Sequence, residues 1–337
     1  MRVLLDMTYA RRGHSGTGVY LERLAAALRA EGVEVVEAAN GRRPAPAGGG
    51  AGSLRNLALD EWWTQVELPR RARAAGADVL HHPLPALAVR APCPQVVTVH
   101  DLAFERLPEH FSPGFRRWAS RAHRRAARGA AAVVCVSQTT RRDARARWGV
   151  DDRRIVVALH GPGQELQVQR SGAEYFLYVG DDEPRKNLAL LLDAHARYRG
   201  AAGPQALELV LAGRARSDRD GVRSEPRPDL AALLGGAAAL VHPALHEGFG
   251  LPALEAMRAG VPVIAGRSPG LVETCAAAAR YVDPHDAAGL ATALAELATD
   301  AALRDELARR GRARAAEFSW AASARAHIEA YTLAGVR

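Results

Sequence analysis

Lysine is all but missing from this chain. Of 45 basic residues in 337, only Lys186 is a lysine; the others are arginines. If arginine has replaced lysine wherever either cation serves, the survivor marks a position that needs a compact ammonium rather than a planar guanidinium. Cysteine is scarce too. Cys93, Cys135 and Cys275 stand far apart with no CxxC pair, which argues against a disulfide framework and for reduced core residues in a cytoplasmic protein. No apolar run approaches the roughly 18 residues that a membrane helix needs, and the opening MRVLLDMTY reads as a short strand rather than a signal peptide. A spaced DxD is absent where a metal would be useful: Asp181-Asp182 is adjacent, and His81-His82 lacks further residues at ligand spacing. No metal is therefore expected. The net charge of +8 sits in the first half of the chain. That excess suits an anionic partner, whether a lipid headgroup, a lipid-linked phosphate or nucleic acid, or it reflects the general overuse of Arg and Ala; no nucleic-acid partner is expected.

What the chain does have is concentrated in residues 245–260, LHEGFGLPALEAMRAG. Glu247 comes first. Gly248 and Gly250 flank Phe249, so the backbone can bend there and approach a ligand with its amides, including that of Leu251. Pro252 is placed to open a helix and Gly260 to stop it, which puts Glu255 in the first turn. Unpaired N–H groups and the positive end of the helix dipole suit a phosphate or diphosphate at such a start. Carboxylates beside it have hydroxyl groups as their natural targets. A sugar attached to a diphosphate combines both features, although a glycine loop with two solvated glutamates is common in α/β proteins.

Glu-x7-Glu within HEGFGLPALEAMRAGVPVIA resembles the signature of family 4 glycosyltransferases, specifically those of the mannosyltransferase-like PRKN type. The resemblance implies a GT-B fold: two Rossmann-like, doubly wound parallel-sheet domains facing across a cleft, with a C-terminal helix that returns to the first. It covers nearly the whole chain and is strongest over residues 175–213 and 238–330. The expected division is 1–165, 166–318 and the returning helix 319–337.

In chain order, Val3–Leu5 reads as a strand, residues 13–18 (GHSGTG) as a glycine loop containing Gly16, Thr17 and Gly18, and Val19–Leu28 as a helix. A similar loop in the family faces the donor phosphate or the acceptor. Residues 39–53 form a low-complexity loop. Trp62 and Trp63 follow, as core or as the wall of an acceptor groove. Gln95–Val99 is a strand ending at His100, where ligands of open parallel sheets bind; in the family a His in this setting faces the transferred sugar. The Arg-rich helix from Ser112 offers Phe115, Trp118, Ala119 and Ala122 as its buried face, and its arginines as a solvated face or as a contact with anionic membrane. Residues 160–173 hold the domain boundary.

The second half opens with the strand Tyr175–Gly180 and then DDEPRKN before a helix from Leu188. Arg185 and Lys186 thus stand at a helix start, where two cations can neutralise a diphosphate. The family's G-x-x-x-P-R-K-N loop does this. Many relatives also carry an Arg directly after the glycine, where this chain has Asp181, leaving more to Arg185. After Gly213 the family pattern of a helix and a V-x-F-x-G strand is missing, and RARSDRDGVRSEPRP implies the loss of about one βα unit and puts the base pocket in doubt. Ser319 is placed to cap the last helix.

The resemblance implies a retaining, metal-independent hexosyltransferase with no cofactor. Its donor is a nucleotide-diphosphate sugar and its acceptor a hydroxyl on a saccharide, a lipid-linked group or a small molecule. Glu247, His100, Lys186 and Arg185 are the expected catalytic group, with Glu255 on the ribose. Glu247 as base, nucleophile or positioner is left open. Two alternatives stand beside this: a sugar-nucleotide epimerase or phosphorylase on the same scaffold, and a non-catalytic scaffold that has lost its base-recognition unit.

Overall fold

The computed structural model describes residues 1–12, 15–42, 51–163, 168–169, 171 and 174–336, with the side chains of 51–54 outside the description. Gly13 and His14 of the first glycine loop, residues 43–50 of the low-complexity loop, and residues 164–167, 170 and 172–173 of the boundary segment lie outside the described residues. The chain divides into two units, Met1–Gly161 with Ser319–Arg337, and Pro162–Phe318.

The first unit is built on strands β1 (Arg2–Asp6), β2 (Glu34–Ala38), β3 (Val79–His82), β4 (Gln95–Val99), β5 (Ala132–Cys135) and β6 (Ile155–Val157). They form one parallel sheet in the order β2-β1-β3-β4-β5-β6. Central strands such as QVVTV and AVVC are short continuous apolar runs because helices cover both faces of the sheet. The last helix, Trp320–Leu333, belongs to this unit. Ser319 caps it by accepting from the Ala322 amide at 3.1 Å, a contact worth about 1 kcal/mol. Its Ala324, Ala330 and Tyr331 share a core with Leu21, Leu24 and Leu28.

The second unit uses β7 (Tyr175–Val179), β8 (Glu208–Ala212), β9 (Val222–Glu225), β10 (Ala237–His242), β11 (Val263–Gly266) and β12 (Ala279–Val282). The order is β12-β11-β10-β7-β8-β9, all parallel. From β7 the chain winds outward through β8 and β9, then returns to the other side of β7 for β10. The order reverses between β7 and β10, and in open α/β sheets the crevice outside the carboxyl ends at such a point is where ligands bind.

Several expectations need correction. The region after Gly213 has not lost a whole βα unit: β9 is present and pairs with β8 along its length, and only the intervening helix is absent. Gly16, Thr17 and Gly18 are not loop residues but the first turn of the helix Gly16–Ala30, because Ser15 caps it through the Gly18 amide at 3.1 Å. A helix, Ala51–Trp62, begins inside the expected loop of 39–53. Phe115 and Trp118 are not part of a buried face; they are 44% and 46% exposed, and the helix Pro113–Gly129 buries Ala119, Ala126 and Ala127 instead. Its small residues allow close approach to the sheet, which leaves the large rings outside. Cys135 and Cys275 are buried and Cys93 half-buried, all free thiols.

Candidate functional site

The loops after β7 and β10 leave neighbouring strands on the same edge of the second sheet. Gly180 directly follows β7 with φ 154°, and a Cβ there would stand 2.8 Å from Lys186 Nζ, so glycine gives the ammonium its place. The chain then turns through Pro184–Lys186 into Asn187, which takes a left-handed φ of 61°. Asparagine tolerates that region better than most residues. Its side-chain amide donates to the carbonyls of Pro243 at 3.2 Å and Pro284 at 2.6 Å, tying this turn to two others. A backbone bond from the Leu245 amide to the Arg185 carbonyl, 2.9 Å, completes the tie to the β10 loop.

That loop is equally constrained. A Cβ at Gly270 would collide with the Glu247 carbonyl, and one at Gly250, where φ is 100°, would strike Leu271. The Phe249 carbonyl accepts from Thr274 Oγ1 at 2.6 Å, and its ring packs edge-on against Phe318. Phe249 is thus an anchor for the turn. The amides of Gly248, Gly250 and Leu251 have no acceptor among the described residues. The helix is Leu251–Arg258, with Pro252 second and Gly260 at φ 71° just beyond its end. Because it starts at Leu251, the expected first-turn position of Glu255 is corrected: this carboxylate is the fifth helical residue, one step past the first turn, and it is buried.

Between the two turns Arg185 Nη1 meets Glu247 Oε2 at 2.6 Å, and Arg185 Nε meets Glu183 at 2.8 Å. Burial alone would push the Glu247 carboxyl up. Arg185, His242 and Lys186 outweigh it and hold the group well below the usual carboxylate range. Glu247 is therefore an anion that accepts hydrogen bonds and is a weak base. The Lys186 amide donates to the Glu183 carbonyl at 2.8 Å, while the side-chain ammonium makes no hydrogen bond or ion pair among the described residues. Arg185, by contrast, is held by two carboxylates.

Three residues here escaped sequence reading. Arg214, just after β8, pairs with Asp181, which restores a guanidinium to the loop where the family's Arg is replaced. Asn187 was read only as part of a motif. His242, the last residue of β10, is 1% exposed with neither ring nitrogen hydrogen-bonded, and its Nε2 lies 3.9 Å from Glu247 Oε2. A polar residue ending an otherwise apolar strand, ALVHP, was the available signal.

In the first unit His100 follows β4 and is half-buried, its Nε2–H donating to the Pro83 carbonyl at 3.0 Å, with Tyr20 edge-on to its ring at 4.9 Å. Burial lowers it to about 4, against the smaller opposing effect of Asp101, so the ring is neutral near pH 7. It borders a buried network: Tyr20 contacts His327 and Thr98, each at 2.9 Å, and Thr98 contacts His81 at 2.8 Å. Among the described residues no group of three or more His, Cys, Asp or Glu side chains is arranged to hold a metal, and no helix is long and apolar enough to cross a membrane.

Two adjacent family models account for most of the chain. Residues 14–161 match Glycosyltransferase Family 4 and residues 165–314 match Glycosyl transferases group 1. The chain belongs to the family 4 glycosyltransferases. It is 29% identical over 271 residues to O-antigen chain mannosyltransferase B of Escherichia coli, covering 71% of this chain and 70% of that one. In fold this family 4 chain is similar to sucrose-phosphate synthase of Thermosynechococcus elongatus, with a TM-score of 0.77 and 20% identity over 98% of both chains. Anabaena Alr3699/HepE in complex with UDP-glucose gives a TM-score of 0.72 at 17% identity over 98% of both. The architecture is GT-B, and the chain is a mannosyltransferase-like glycosyltransferase using a nucleotide-sugar donor.

Proposed function

We propose that this glycosyltransferase moves a hexosyl group from a nucleotide-diphosphate sugar to an acceptor hydroxyl, with retention and without a metal or other cofactor. The observation that carries the donor side is the meeting of Arg185, Lys186 and Glu247 at the β7/β10 reversal, next to amides without acceptors. In this reading Lys186 and Arg185 meet the charge that develops on the leaving diphosphate, joined by the amides at the start of the helix Leu251–Arg258. Preorganised donors of this kind contribute about 3 kcal/mol each. Glu247, kept ionised, receives a sugar hydroxyl and acts as a positioner; its depressed proton affinity makes it a poor general base. Glu255 meets the ribose. The acceptor is held by the first unit, with neutral His100 on its side.

Retention follows the family resemblance, in which the leaving phosphate takes the acceptor proton during front-face attack. The basic helix Pro113–Gly129, with Phe115 exposed among its arginines, is assigned to contact with an anionic lipid surface. A donor panel followed by nucleoside diphosphate release, with the product anomer read by NMR and EDTA present in one arm, tests the reading. Release with any hexosyl donor, a retained anomer and insensitivity to EDTA support it. An inverted product overturns retention, loss of activity with EDTA overturns metal independence, and no release from any donor overturns the whole.

A further inference from the structure

Arg185 is committed twice within the second unit. Its Nε meets Glu183 at 2.8 Å and its Nη1 meets Glu247 Oε2 at 2.6 Å. A donor diphosphate, in the reading above, draws on the same guanidinium, and what it takes from Arg185 it takes from Glu247. That carboxylate is only 14% exposed, and a buried anion stripped of its partner is strongly destabilising. Lys186 does not fill the gap, because the same diphosphate engages its ammonium. The site therefore needs a second partner for Glu247 that the phosphates leave alone.

His242 is placed to be that partner. It ends β10, a buried strand that otherwise reads AAALV. Its ring is 1% exposed, and neither nitrogen has a hydrogen-bond partner among the described residues. Buried polar groups are nearly always paired, so a ring with two orphaned nitrogens points to a partner gained in another state of the site. Nε2 lies 3.9 Å from Glu247 Oε2, the oxygen that Arg185 holds. That separation is about 1 Å too long for a charge-assisted hydrogen bond, and a small rotation of the Glu247 side chain closes it once Arg185 lets go. An imidazolium supplies both the N–H and the positive charge that Arg185 withdraws, and imidazole is the side chain that gains its proton near neutral pH.

The titratable and charged groups around this ring come from several elements. The loop it opens carries His246 and Glu247, and the loop after β7 carries Glu183, Arg185 and Lys186. β7 itself offers Tyr178, whose hydroxyl donates to the Asp181 carbonyl at 2.9 Å and which burial, reinforced by nearby carboxylates, keeps a neutral phenol. The helix Leu251–Arg258 brings the buried Glu255 and the exposed Arg258. Glu296, on the helix Ala287–Thr299, is spent on Arg280 at 2.8 Å. β11 and the helix Leu230–Gly236 bring none. Glu183 loses the same guanidinium as Glu247 but is 44% exposed and can be solvated, so it is Glu247 that calls for a replacement.

We propose that His242 is a positioning residue that takes over Glu247 when the donor's diphosphate draws Arg185 away, gaining a proton from solvent as it does so. The proton enters on the ring, the imidazolium Nε2–H donates to Glu247 Oε2, and the carboxylate keeps its charge and its aim at the sugar hydroxyl. This rests on the donor reading above and adds to it a linkage between donor binding and pH. The test is calorimetric titration of the full chain with UDP-, GDP- and ADP-hexoses, in buffers of low and high ionisation enthalpy and across a range of pH. These probes suit it because a doubly esterified diphosphate has no proton to exchange near neutrality. The wild type should take up protons on binding, and its affinity should weaken as the pH rises, by up to about tenfold per pH unit. His242→Gln keeps an N–H donor but gains no proton, so it should bind with no uptake and a flat pH profile. His242→Leu should also take up none, and should bind the nucleotide hexose about tenfold more weakly, the worth of one lost hydrogen bond. Glu247→Gln, with His242 intact, should likewise abolish the uptake, which keeps the test decisive if the changes at 242 fold poorly. Binding by the wild type without proton uptake, or uptake that persists in His242→Gln, overturns the proposal and leaves the donor reading standing. Failure of the wild type to bind any of the nucleotide hexoses overturns the donor reading, and this linkage with it.

Discussion

Replacing Arg185 with methionine tests how the second unit holds Glu247. The two side chains are 18% and 14% exposed, so both are largely out of water. Removing one partner of such a pair leaves the other uncompensated, at about 3 kcal/mol. Glu183 is 44% exposed and can be solvated once released, so the cost falls on Glu247. The pH dependence gives the sign. In the wild type the folded Glu247 carboxyl lies below its unfolded value, so the pair's stabilisation is full above about pH 4.3 and is lost as the pH falls through the folded value. In Arg185→Met burial dominates, the folded carboxyl rises above its unfolded value, and the penalty appears as the pH rises through it. The deficit should therefore be larger at pH 8 than at pH 5. Adding Glu247→Gln should recover most of it. The five tryptophans, at positions 62, 63, 118, 148 and 320, all belong to the first unit, so circular dichroism should report the loss while tryptophan fluorescence reports little. A deficit that is the same at both pH values, or one that Glu247→Gln does not relieve, refutes the reasoning.

Other expected outcomes are as follows. Lys186→Ala should lower turnover by about a hundredfold, the scale of one lost charge-stabilising donor, and Lys186→Arg should restore only part, because Gly180 leaves room shaped for an ammonium; wild-type turnover in Lys186→Ala contradicts this. Gly270→Ala should depress turnover while the protein stays folded, since the added methyl displaces the Glu247 backbone; unchanged kinetics contradict it. His327 is fully buried and lowered to about 4 by burial, partly offset by its bond to the Ser323 carbonyl. The unfolded state therefore takes up the proton first, and the first unit should lose up to about 3 kcal/mol as the pH falls from about 6.5 to 4, read by tryptophan fluorescence under denaturant. A flat stability over that range rules it out. Vesicle flotation should show the chain with anionic but not neutral lipid, and Arg→Gln changes at 116, 117 and 121 should abolish it; equal flotation with both lipids removes the assignment.

The strand-loop-helix turns were legible in sequence because their signals are local: a glycine, a proline, two cations or two glutamates within a few residues. The same locality explains the errors. Gly16–Gly18 looked like a loop by composition, whereas the Ser15 cap makes it a helix start. The stretch after Gly213 looked empty because β9, VRSE, is a short edge strand without an apolar pattern. His242 and Arg214 gain their meaning from neighbours far along the chain.

The central claim is that the turns at Arg185-Lys186 and Glu247–Leu251 serve one activated sugar, with cations on the diphosphate and the carboxylate on the hexose. Calorimetric titration of the wild type, Lys186→Ala and Glu247→Gln with a nucleotide hexose and with the bare nucleoside diphosphate separates those roles. Lys186→Ala should weaken both ligands, and Glu247→Gln should weaken the nucleotide hexose while leaving the diphosphate as in the wild type. Wild-type affinities in both variants, or equal weakening of both ligands by Glu247→Gln, would contradict the account.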